Sequence, residues 1–215
     1  MQINLLSSHH SLLHQFVAEL RDLQVQKDRM RFRKNIERIG QIMAYEVSRQ
    51  LPWKEQIIQT PLGSHTSQVL AEQPVLATIL RAGLSMHQGV LDYFDKADCA
   101  FISAYRKHHD DHSFEIVVEY LASPDIDKRI LLLIDPMLAT GQSIELTYQA
   151  LLKRGIPKEL HVLSLIASKA GVTYLQEKLP NATLWIADMD DALNEDGYII
   201  PGLGDAGDLS YGEKL

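Results

Sequence analysis

The residues best suited to chemistry lie in one short run, "DPMLATGQS", residues 135–143. It follows the apolar string "RILLLI" (129–134) and precedes the helical pattern "IELTYQALL". Apolar packing does not ask for an acid at the end of a greasy strand. Thr140 and Ser143 supply hydroxyls, and the small Ala139 and Gly141 let backbone N–H groups approach a ligand closely. A helix opening near Ser143 would add the positive end of its dipole, so a phosphate monoester is the natural guest. Asp135, an acceptor only when ionised, suits neighbouring hydroxyls such as those of a ribose ring. A nucleoside-triphosphate P-loop is excluded, because G-x-x-x-x-G-K-[ST] needs Lys where Gln142 stands and a first Gly that is absent. No G-x-G-x-x-G stands at a strand-to-helix junction either. A helix cap accounts for Ser143 alone. It leaves Asp135 and Thr140-Gly141 without a reason.

A second run, "GYIIPGLGDAGDLSYG" (197–212), holds five glycines and one proline in sixteen residues, which predicts no regular element. Tyr198, Ile199, Ile200 and Leu203 are too apolar for a disordered tail. A loop held by those side chains could present backbone C=O and N–H groups to a flat ligand edge.

These runs need a frame. Residues 10–50 read as helical, with one stripe at Leu12, Leu13, Phe16, Val17, Leu20 and Leu23 and a second at Ile36, Ile39, Ile42, Met43 and Val47. From residue 74 strands and helices alternate. Strands are expected at 74–80, 99–106, 114–121 (hairpin-like), 129–134, "ELHVLSLIA" and "ATLWIA", with "RILLLI" central because it is apolar on both faces. The pattern implies an α/β fold, a doubly wound and mainly parallel sheet. Ligands sit outside the carboxyl ends of such strands. Arg81-Ala82-Gly83, Arg106 and the Asp135 loop all fall there.

A length of 215 residues suits a single domain: N-terminal helices over 1–60, an α/β core over 74–187 and a loop over 193–215. The net charge of −7 argues against a nucleic-acid partner. The one cysteine, Cys99, fits a reducing compartment. With no secretory signal pattern and no run of ~18 apolar residues, the chain is expected to be cytoplasmic and to have no membrane partner. "HHDDH" (108–112) invites a metal reading, but five adjacent polar residues read more simply as a solvated loop.

Acid, short loop and T-G-x-S at a strand-to-helix turn resembles the signature of the type I phosphoribosyltransferases. With "LNEDGYIIPGLGDAGD" (193–208), the chain is similar to the uracil phosphoribosyltransferase family, and the resemblance extends through most of it from about Tyr45. It implies transfer of a phosphoribosyl group from phosphoribosyl pyrophosphate to uracil, giving UMP and pyrophosphate. "ILRAGL" (79–84) and "YR" (105–106) match motifs whose arginines contact the pyrophosphate, so Arg81 and Arg106 join Asp135 as the expected catalytic residues. The donor-binding set adds Pro136, Met137, Leu138, Ala139, Thr140, Gly141, Gln142, Ser143 and Asp205. Uracil is expected against main chain at Ile199, Gly204 and Ala206, with Asp205 between base and ribose. Main-chain groups of fixed polarity would disfavour cytosine, whose amino group reverses one position. The resemblance also implies Mg²⁺, bound mainly through substrate and not by a protein metal site, and a homodimer or higher homo-oligomer, with the 114–121 hairpin as candidate arm. The chain departs from the family pattern at Leu209, where a basic residue is usual, at Gln142, usually Gly, after Arg106, and at "SKAG". Two alternatives stay open: a phosphoribosyltransferase for another base, and a nucleotide-sensing regulator with weakened chemistry.

Overall fold

The structure, a computed structural model, describes residues 1–108 and 114–214, with side chains described outside 104–118. Strand β1 (Gln2–Leu5) leads through a 3-10 turn into helices α1 (Leu12–Arg21) and α2 (Arg29–Ser48), followed by strands β2 (Trp53–Thr60) and β3 (Gly63–Leu70). The alternating part runs β4 (Val75–Leu80), α3 (Gly83–Leu91), β5 (Asp98–His108), β6 (Phe114–Ala122), β7 (Ile130–Ile134), β8 (Met137–Leu138), α4 (Gln142–Leu151), β9 (Glu159–Ser168), α5 (Lys169–Lys178) and β10 (Thr183–Asp190). The tail carries β11 (Ala192–Leu193), β12 (Ile199–Ile200) and α6 (Ala206–Tyr211).

The main sheet has the order β1-β10-β9-β7-β4-β5-β6, with β8 pairing beside β9. All its pairings are parallel except β5 with β6, which is antiparallel. The expected centre is correct: β7 lies between β4 and β9, and every residue from Ile130 to Ile134 is buried. Side chains alternate across a strand. Ile130, Leu132 and Ile134 therefore join a core under α1, α2 and α3, while Leu131 and Leu133 join a second core under α4 and α5. Helices on both faces make the sheet doubly wound.

Helix α1 opens with a capping box in which the Ser11 hydroxyl accepts the Leu13 N–H at 3.3 Å and the His14 side chain reaches back to the Ser11 N–H. Its buried stripe is Leu13, Val17 and Leu20. Two expected stripe members are not core residues: Leu12 is 71% and Leu23 72% exposed. Leu12 is the first helical residue and faces outward, and Leu23 lies beyond the helix end. Two further departures stand out. The stretch 1–60, read as helical, also contains β1 and β2. The glycine-rich tail, read as having no regular element, contains β12 and α6. No helix among the described residues is long and apolar enough to cross a membrane. Apart from the backbone of His108, the 108–112 cluster lies outside the described residues.

His87 on α3 is buried, with both ring nitrogens lacking a hydrogen-bond partner and its ring 5.1 Å from that of Phe101 between centroids. Burial holds its pKa below the ordinary 6.5. The unfolded chain accepts this proton more readily than the folded one. Its contribution to stability is therefore full above about pH 6.5 and is lost as the pH falls below that value toward the depressed folded pKa. Urea unfolding between pH 7 and 5 should show His87→Leu losing less stability on acidification than the parent, by up to ~1.4 kcal/mol per pH unit. Parallel pH profiles would contradict this.

Candidate active site

The Asp135 loop is built by two neighbouring elements. The β7 chain continues into Asp135, whose N–H bonds the Leu163 carbonyl at 3.1 Å and whose own carbonyl accepts the Ser164 hydroxyl at 2.6 Å. The Asp135 carboxylate is buried at the loop mouth and accepts the Met137 N–H at 3.3 Å. The Pro136 carbonyl accepts N–H groups from Leu165 (3.1 Å) and Ile166 (2.9 Å), and Leu138 is buried in the second core. At the end of β9, Ser168 donates to the Ala139 carbonyl at 2.6 Å and accepts the Gly171 N–H at 2.9 Å, so it caps α5 and holds the loop at once. Gly171 comes so close that a Cβ there would sit 2.3 Å from the Ala139 carbonyl oxygen.

Gly141 turns the chain into α4 with φ +83°, a conformation L side chains rarely adopt, and a Cβ there would lie 2.9 Å from Cδ1 of Tyr174. Gly141 is the N-cap of α4, no side chain caps that helix, and Gln142 and Ser143 are its first two residues. The capping role considered for Ser143 is therefore not the one it plays. Uncapped N–H groups at a helix start, flanked by Thr140 and Ser143 hydroxyls, are the chemistry of an anion cup. Asp135, Thr140, Gly141, Ser143 and Ile144 bound a small hollow of ≈ 20 Å³, too small for a nucleobase. Behind it, the Tyr174 hydroxyl donates to the Glu145 carboxylate. That bond, with burial second, pushes the Tyr174 pKa up to about 12.

Arg81 stands at the neighbouring strand end. In the β4–β7 pairing Thr78 is opposite Ile134, and a Cβ on Gly83 would lie 3.3 Å from the Ile134 carbonyl oxygen. The Arg81 loop therefore packs directly against the residue before Asp135. Its Nη2 donates to Asp208 at 2.6 Å and its Nη1 to the Gly212 carbonyl at 3.0 Å. This brings the expected arginine and the glycine-rich tail together. Arg106 is on β5, opposite Ile116 of β6. Its side chain lies outside the described ones.

Within the tail, Ile199 is buried in β12, paired with Leu193 of β11. Gly204 adopts φ +94°, Asp205 caps α6 by accepting the Asp208 N–H at 2.9 Å, and Ala206 is buried in the core under α2. Ile199, Gly204, Asp205 and Ala206 are thus parts of one folded segment. The segment is fastened by residues the sequence reading did not single out. Arg21 donates to both carboxylate oxygens of Asp190 (2.8 and 3.0 Å), to Asp188 (2.8 Å) and to the Gly202 carbonyl (2.8 Å), while the Gly202 N–H returns to Asp190 at 3.0 Å. Burial works against the Arg21 charge, but Asp190 and Asp188 outweigh it and leave its pKa raised. The buried Gln26 side chain bridges the Leu20 and Leu203 carbonyls at 2.9 and 3.2 Å. The signal for this anchor was present in "ADMDD" (187–191): acids at alternate positions near the carboxyl end of a core strand.

The family model for uracil phosphoribosyltransferase matches residues 7–212. The chain belongs to the uracil phosphoribosyltransferase family. It is 53% identical over 216 residues to a uracil phosphoribosyltransferase of Porphyromonas gingivalis, covering 100% of both chains. It is 39% identical over 208 residues to one from Limosilactobacillus fermentum, covering 95% of this chain and 96% of that one. Among solved structures, the AQ2163 protein from Aquifex aeolicus superposes with a TM-score of 0.88 at 30% identity, over 98% of each chain. The departures noted at Leu209 and Gln142 are accommodated without disturbing the frame of this uracil phosphoribosyltransferase family member. Leu209 packs against the core under α2, and Gln142 opens α4.

The Arg21 anchor is open to direct test. Arg21→Ala would leave the mostly buried Asp190 without its cationic partner, at a cost of ~3 kcal/mol. For a chain of this size that lowers the melting temperature by roughly 6–12 °C. A melting temperature equal to the parent's would show the anchor to be energetically idle.

Proposed function

We propose that this chain transfers the 5-phosphoribosyl group from phosphoribosyl pyrophosphate to N1 of uracil, releasing pyrophosphate and forming UMP. Beyond family membership, one observation carries the reading. The Asp135 cup and the glycine-rich tail flank the same arginine, Arg81, at the carboxyl ends of adjacent strands. The 5′-phosphate is assigned to the cup at Thr140, Gly141 and Ser143, within the donor-binding run Asp135–Ser143. The ribose hydroxyls are assigned to Asp135, whose ionised carboxylate accepts from them. The pyrimidine edge is assigned to main-chain groups at Ile199, Gly204 and Ala206, with Asp205 between base and sugar.

No protein nucleophile is required. As the bond from the sugar to pyrophosphate lengthens, positive charge grows on the ribose and the base nitrogen closes on the opposite face. This chain's contribution is positioning and charge. Arg81 and Arg106 neutralise the departing anion, and the buried Asp135 carboxylate holds the sugar. Magnesium fits this donor set as a rider on the substrate: Asp135 and Asp205 offer hard carboxylate oxygens that already accept backbone N–H groups, and the ion would add positive charge beside the leaving pyrophosphate. A cytoplasmic setting suits phosphorylated substrates and a lone cysteine.

The working unit is proposed to be a homo-oligomer, at least a dimer. β6, the arm expected from the sequence, lies at an edge of the main sheet. The β2–β3 hairpin is the stronger arm candidate. It stands apart from the main sheet and exposes Trp53, Ile57 and the fully exposed Leu62. An isolated ribbon with apolar side chains in water is marginal by itself and gains by packing on a second copy.

Radiolabelled uracil, phosphoribosyl pyrophosphate and Mg²⁺ should yield UMP. Asp135→Asn should keep its fold and lose activity about 10- to 100-fold, the worth of a charge-assisted hydrogen bond. Tight UMP binding without turnover would instead favour a nucleotide sensor, and turnover unchanged in Asp135→Asn would remove the assigned role.

A further inference from the structure

Arg81 is engaged by partners within the chain itself. Its two terminal nitrogens donate to the Asp208 carboxylate and the Gly212 carbonyl, in the first turn and just past the last residue of α6. Two further contacts fasten the same end of the helix: Arg33 donates to the Ser210 carbonyl at 2.7 Å, and the Tyr211 hydroxyl meets that of Ser85 at 2.8 Å. The Asp208 N–H in turn bonds the Asp205 side chain, on the segment assigned to the base. A guanidinium fork that now meets a carboxylate and a carbonyl oxygen suits two oxygens of a phosphate group equally well. The Arg81–Asp208 pair is also partly exposed, at 37% and 29% of the two side chains. An ion pair so placed is worth only ~0.2–1 kcal/mol, weak enough to exchange for a more highly charged partner.

We infer that Asp208 is a positioning residue for the leaving-group site: it holds Arg81 against α6 until pyrophosphate oxygens take over the same guanidinium donors. This rests on the reading of Arg81 as a pyrophosphate ligand. Filling the site then withdraws one anchor from α6, and the departing anion hands Arg81 back to Asp208. The leaving-group site and the base-binding segment communicate through the chain Arg81, Asp208, Asp205.

Inorganic pyrophosphate with Mg²⁺ is the probe, titrated calorimetrically into the full-length protein. Asp208→Asn removes the competing charge and keeps the side-chain shape. It should bind pyrophosphate ~1.5- to 5-fold tighter and lower the KM for the donor by a similar factor, with kcat changing less. Tyr211→Phe loosens α6 without touching the Arg81 pair and should bind pyrophosphate as the parent does. In the parent, pyrophosphate should speed hydrogen exchange across 206–212, a readout independent of any variant's folding. Unchanged or weaker pyrophosphate binding by Asp208→Asn, equal tightening by Tyr211→Phe, or unaltered exchange in the parent would each overturn the inference while UMP formation continued. A parent that neither formed UMP nor bound pyrophosphate would overturn the proposed activity together with it.

Discussion

Thr78 faces Ile134 in the parallel pairing of β4 with β7, and the placement of the site follows from that register. Parallel strands deliver their carboxyl ends to the same edge of the sheet, so the chain leaves β4 toward Arg81 and β7 toward Asp135 side by side. The Asp135 loop is then packed without room for side chains on two sides: Gly83, after β4, lies against the Ile134 carbonyl, and Gly171, in α5 after β9, lies against the Ala139 carbonyl. A one-residue slip in this pairing would turn the alternating Leu76, Ala77 and Thr78 to opposite faces and break both cores at once. Burial on both faces of the central strand therefore sets the geometry of the anion cup, although none of those apolar residues touches it.

The tail is held by a different kind of force. Its helix is six residues long, below the length at which helix formation sustains itself. Polar contacts to distant parts of the chain stabilise it instead. Arg21 and Gln26 bond the carbonyls of Gly202 and Leu203, and Arg33 and Arg81 bond those of Ser210 and Gly212. Cationic donors on the last carbonyls of a helix satisfy groups that have no partner within it. A segment fastened by hydrogen bonds to its backbone keeps the remaining backbone groups in a fixed orientation, which is what reading a pyrimidine edge requires.

Much of this was legible in the sequence, for local reasons. The apolar runs of β7 and β9 and the helical spacing between them announce a parallel sheet, and the cup is contiguous, so its chemistry can be read from nine adjacent residues. What escaped reading was non-local or unpatterned. Arg21 and Asp190 are separated by 169 positions, and although the acids of "ADMDD" mark one side of the pair, nothing near Arg21 marks the other. The hairpin 53–70 is largely exposed, so its residues carry no alternation of apolar and polar, and only the turn at "TPLG" hints at it. Helix α6 was hidden by Gly204 and Gly207, and the contacts that hold it come from Arg33 and Arg81, far away in the chain.

On the proposed activity, one nucleotide spans the cup at 135–143 and the tail at 199–206. A crystal structure with UMP tests it most directly. The 5′-phosphate is expected on backbone N–H groups between Thr140 and Ser143, the ribose hydroxyls on Asp135, and the uracil edge on main-chain atoms of Ile199, Gly204 and Ala206. A phosphate bound elsewhere, or a base turned away from that tail, would contradict it.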